Sequence, residues 1–89
     1  PEHAQGFGYA VWVAVAQLER DIGNLPAARA AIVRAVEVFE AVLGKDNPDL
    51  GQLLYEHGAI EMRAGDLQRA RELFDRALSI CETNYGSDH

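Results

Sequence analysis

With 89 residues, 48% hydrophobic and 25% charged, the chain suits one small domain with a modest core and is too apolar to stay disordered. Its longest apolar run, residues 9–16, falls far short of the ~20 residues that cross a bilayer, so no membrane association is read. The net charge is −6, and Lys45 is the one lysine among arginines dispersed between acids, so no direct nucleic-acid binding is expected.

In chain order, the first predicted helix runs from about Ala4 to Asp21 and stops at Gly23. Gly6-Phe7-Gly8 lacks the third glycine and the preceding strand of a dinucleotide loop and reads as a flexible helix start. A second helix spans about 25–43, with Asn24 as its cap and Pro26 in the first turn, where a missing N–H is harmless. Leu25, Ala28, Ile32, Ala35, Val36 and Phe39 form its inner stripe at helical spacing. Residues 44–47 are a connector too short for a domain linker. Asn47-Pro48-Asp49 then starts a third helix, expected over about 48–63, with Asn47 capping and Asp49 complementing the helix dipole. Gly65 ends that helix, and Asp66 caps a fourth over about 67–84. Its stripe is Leu67, Ala70, Phe74, Ala77, Leu78 and Cys81, with Leu73 and Ile80 as a second stripe beside it. Tyr85-Gly86 closes it.

An internal repeat underlies this order. Gly23 is answered by Gly65, an offset of 42 residues (65 − 23), and the same offset carries Glu19 to Glu61, Ala28 to Ala70, Arg29 to Arg71, Arg34 to Arg76, Ala35 to Ala77 and Glu40 to Glu82. Residues 1–45 and 46–89 are therefore two units of one design, each a pair of antiparallel helices. Ala16/Gly58, Ala28/Ala70 and Ala35/Ala77 are small where two helix axes would cross closely. The fold class is all-α.

The pattern resembles the tetratricopeptide repeat. Trp12, Ala16, Gly23, Ala28, Ile32 and Ala35 match its positions in the first unit, and Leu54, Gly58, Gly65, Ala70, Phe74 and Ala77 in the second. The unit is longer than that family's usual ~34 residues, and residues 43–49 are similar to the long linkers of kinesin-light-chain-like members. Tyr85 to His89 resembles the start of the same linker, which implies a further repeat in a longer parent protein. Glu19 and Glu61, with Arg29 and Arg71, also resemble the half-a-TPR variant of RNA-processing assemblies; they are expected to tie the two helices of each unit together. The resemblance implies a short right-handed α-solenoid that binds a protein or peptide in its concave groove. Its groove positions are Ala10, Val13, Gln17, Arg20, Gln52, Tyr55, Ala59 and Met62. The family's clamp for a free C-terminal carboxylate uses Lys and Asn where this chain has Val13, Gln17, Tyr55 and Ala59, so that ligand is not expected.

No enzyme is read from the chain, and no cofactor, metal or catalytic residue is assigned. His57 and Glu61 share one helix face but lack the further ligands a metal needs, and are expected as a helix-surface pair. Cys81, on the apolar stripe, is expected to be a buried, unreactive filler, and its solitude suits a cytoplasmic, nuclear or organellar setting. Residues 10–16 are apolar all round the helix, and Leu73 and Ile80 are expected to await a following repeat. Isolated 1–89 is thus expected to self-associate or to be only weakly stable.

Overall fold

The computed structural model describes residues 2–85, with side chains from 8 to 83. Four helices follow one another: α1 (Glu2–Asp21), α2 (Leu25–Leu43), α3 (Leu50–Ala64) and α4 (Leu67–Tyr85). Helix α1 starts earlier than expected, so Gly6 to Gly8 lie within it. The expected linker start at 86–89 lies outside the described residues.

The two tight turns are built alike. At each, glycine adopts positive φ, 89° at Gly23 and 91° at Gly65, a region closed to most side chains by Cβ sterics. Asn24 N–H then donates to Glu19 C=O and Gly23 N–H to Arg20 C=O; Asp66 to Glu61 and Gly65 to Met62 repeat the pattern. These bonds satisfy the last carbonyls of α1 and α3. The following helices are capped by the Asn24 side chain, which accepts from Ala27 N–H, and by Asp66, which accepts from Arg69 N–H at 3.1 Å. Turns this short force each pair of helices to run antiparallel.

The connector behaves differently from expectation. Asn47 Oδ1 accepts from the Asp49 N–H at 2.9 Å, and i→i+3 bonds follow from Leu50 to Asn47, Gly51 to Pro48 and Gln52 to Asp49. This tight turn delays the α-helix to Leu50, because the Asx bond draws the backbone into a turn before helical bonding begins.

Helix α1 packs on α2, α3 on α4, and α2 on α3, so the two units stack as a short helical-repeat solenoid. One core runs through all four helices, from Ala16 through Ile32, Ala35 and Phe39 to Leu50, Leu54, Ile60, Leu73 and Ala77. Burying each of its large aliphatic side chains is worth roughly 1.5–3 kcal/mol. The small residues at the crossings, Ala16, Gly58, Ala28, Ala70, Ala35 and Ala77, are all buried. Tyr9 sets the edge of its ring on Phe39, with centroids 5.0 Å apart.

Helix α4 departs from its expected stripe. Leu73 is buried and Ile80 packs against the core, whereas Leu67, Leu78 and Cys81 are exposed and Phe74 is half-buried. The stripe expected to be inner is therefore split: Ala70 and Ala77 are buried, while Leu67, Leu78 and Cys81 stay open, so Cys81 is not the buried filler it was expected to be. The reason is positional: α2 is packed by both α1 and α3, whereas α4 is packed by α3 alone among the described helices.

Candidate functional site

Charged side chains stitch the two units together. Arg29 of α2 donates through Nε and Nη2 to the two carboxylate oxygens of Glu61 in α3, at 2.6 Å each. Glu61 is buried, and His57 Nε2 lies 3.1 Å from its Oε2. The paired guanidinium holds the Glu61 carboxyl below the usual carboxylate range, outweighing the opposing effect of burial. Burial has the upper hand at His57, whose pKa is lowered despite its bond to Glu61. Further links are Arg20 to Glu56 at 2.9 Å, Arg63 to the Arg20 carbonyl at 3.0 Å and Arg76 to Glu40 at 3.1 Å.

Two expectations are corrected here. His57 and Glu61 are a buried pair rather than a helix-surface one, because α3 turns this face toward α2. The expected tie within each unit is replaced by one between units: Arg29 reaches across to Glu61, while Glu19 accepts from Asn24 Nδ2 at 3.1 Å and Arg71 meets Asp75 on its own helix at 4.0 Å. The rung joins one repeat to the next, so the 42-residue offset by itself disguised the true partner.

Among the hollows on the described surface, two contain expected groove residues. The first, of about 400 Å³, lies between α1 and α3 and is lined by Tyr9, Ala10, Val13, Asp49, Gln52 and Leu53. The second, of about 410 Å³, lies between α3 and α4 among Gly51, Gln52, Tyr55, Phe74, Leu78 and Cys81, with Asp75 and Ala77 beside them. The Tyr55 and Phe74 rings are 5.8 Å apart, tilted by 42°.

Of the expected groove residues, Val13 and Gln52 meet in the first hollow, beside Ala10, and Tyr55 lines the second. Gln52 also donates to Glu56 at 3.3 Å. The Arg20 guanidinium is engaged by Glu56 and lies 3.5 Å from Asp21. Gln17 and Ala59 are half-buried, Met62 is exposed, and none of the three lines either hollow. Sequence reasoning missed Tyr9 and Leu53, which it assigned to no stripe, and Phe74 and Leu78, which lay on the stripe read as the inner face of α4. Whether such a stripe is covered depends on the neighbouring helix, which periodicity along one helix does not reveal.

These linings offer apolar contact and an amide, which suit adhesion to a peptide or helix. Among the described residues, no three His, Cys, Asp or Glu gather to hold a metal ion, and no helix is long and apolar enough to cross a membrane. The family model described as Tetratricopeptide repeat matches residues 14–49 and 58–89. No curated protein and no solved structure matches the chain significantly.

Proposed function

This chain belongs to the tetratricopeptide repeat family, and on that premise we propose that it is a non-catalytic scaffold holding a peptide or helix of another protein in the hollow between α1 and α3. Repeats of this family generally mediate protein–protein interaction. The observation that carries the reading is the meeting of Tyr9, Ala10 and Val13 of one unit with Gln52 and Leu53 of the next in one hollow. Apolar side chains supply contact area there, and the Gln52 amide and Asp49 carboxylate supply polar selection at the rim.

A second reading keeps the fold and changes the setting: a half-a-TPR-like module within an RNA-processing or RNA-stabilising complex. The helix sequence from Arg71 to Leu78 and the Glu/Arg pattern favour it. With a net charge of −6, such a module joins the complex through protein contacts. The long connector after α2 is similar to kinesin-light-chain-like repeats and favours the first reading.

One experiment separates them. The tagged protein is used to capture partners with and without RNase, and the recovered partner is purified and its affinity measured. A partner retained after RNase, bound at least about tenfold more weakly (~1.4 kcal/mol) by Ala10→Glu at unchanged helicity, supports the groove. Unchanged affinity places the binding surface elsewhere, and loss of all partners with RNase moves the assignment to the second reading.

A further inference from the structure

The outer face of α4 and the outer face of α1 are complementary in the same way that α2 and α3 are, and we propose that this chain associates head to tail with a second copy of itself. The α4 face of one copy would take the α1 face of the next, just as α2 takes α3 within the chain.

The charges carry this most directly. The ion pair Arg29–Glu61 joins α2 to α3, and the residues one offset away are Arg71 on α4 and Glu19 on α1. The pair Glu40–Arg76 joins the units a second time, and its residues one offset away are Glu82 on α4 and Arg34 on α2. Stacking a second copy on α4 by the same step therefore sets Arg71 against the next copy's Glu19 and Glu82 against its Arg34. Both pairs have the correct sign and the same residue types. Of the other two links, Arg20–Glu56 is replaced by Met62 against Ala14, with no charge on either side, and Arg63 to the Arg20 carbonyl is replaced by Asp21 facing the Met62 carbonyl, where the hydrogen bond is lost.

The apolar surface agrees. Leu53 and Ile60 of α3 are 4% and 1% exposed against the first unit; their counterparts on α1, Val11 and Leu18, are 61% and 60% exposed. On the other side, Phe39 of α2 is fully buried, whereas its counterpart on α4 is the exposed Cys81, beside Leu78 at 59%. The second hollow, floored by Phe74 and Leu78 between α3 and α4, is the seat that the next copy's α1 would occupy. Contiguous apolar faces of this kind are normally covered by a partner. The contact is heterologous, since two different faces meet, so it does not close at a dimer unless the rotation forms a ring.

Sedimentation and light scattering over a range of concentrations test this. The expected result is a mass that grows with concentration beyond a dimer. Arg71→Glu and Glu19→Arg should each weaken association by about tenfold or more, because each sets like charges together in a desolvated contact. Mixing the two variants should restore association, because every contact between unlike copies again joins opposite charges. The unchanged Arg71 of one variant meets the unchanged Glu19 of the other, and the two introduced side chains meet as the same pair with its ends exchanged. Leu78→Asp, at an exposed position, is a second probe that should abolish assembly with unchanged circular dichroism. A wild-type monomer throughout, a mass that stops at a symmetric dimer, or charge variants that fail to rescue each other on mixing would overturn the proposal.

Discussion

Glu61 is the residue on which the contact between the units turns. Its carboxylate is taken out of water and is satisfied by Arg29 from one helix and His57 from its own. Both the His57 and Glu61 pKa values are lowered in the fold, from ordinary values of 6.5 and 4.5. At each group the folded protein therefore binds fewer protons than the unfolded chain, so acid favours unfolding. Stability is expected to be constant above about pH 6.5, to fall as His57 takes up a proton in the unfolded chain, and to fall again below about pH 4.5 as Glu61 does so. Arg29 and Arg69 both act against a proton on His57 from outside its own pair. Urea midpoints measured across this range provide the check. His57→Gln, which keeps a donor toward Glu61, should remove the upper step and leave the lower one. An upper step that persists would assign it to another group.

At the scale of the helices, the crossing within each unit is solved twice with different volumes. The first unit sets Ala16 and Ile32 in its core, and the second has Gly58 and Phe74 at the same places. A Cβ on Gly58 would lie 2.6 Å from Phe74 Cε1 and 2.8 Å from Cδ1. The ring, rather than a flexible chain end, would have to move. Gly58→Ala is expected to lower stability by about 1–2 kcal/mol, since overpacking typically costs about 1–3 and the gain in helix propensity returns about 0.5–1. Gly58→Ala/Phe74→Ile, which copies the first unit, should recover most of that loss in equilibrium urea unfolding. A single variant as stable as the parent would show that the ring has room to swing into the open hollow. The helices and both glycine turns were legible because their causes are local: apolar spacing, a capping side chain, and a glycine where φ is positive. The later start of α3 was not, because Asn47 competes for the backbone through its own side chain.

For the whole molecule, the decisive feature is that one core crosses both units. Ala16 of α1 and Leu73 and Ala77 of α4 belong to the same buried cluster, joined through α2 and α3. In a solenoid the stability of each repeat is shared with its neighbour through their interface. Denaturant unfolding followed by the fluorescence of Trp12, which reports on the first unit, should therefore coincide with unfolding followed by far-ultraviolet circular dichroism, which reports on both. Separated transitions would mean that the contact between α2 and α3 is too weak to couple the units.

Read by itself, the amino-acid sequence determined the four helices, the 42-residue offset, the small residues at the crossings and membership of a repeat family, because each is written in spacings within or between similar segments. Tertiary structure alone decided which partner each charge takes and which stripe is covered. Arg29 finds Glu61 rather than Glu19, and Cys81 is exposed where Phe39 is buried. Periodicity states which residues share a face, but burial of that face depends on the helix laid against it, and in a stacked repeat that helix comes from the next unit.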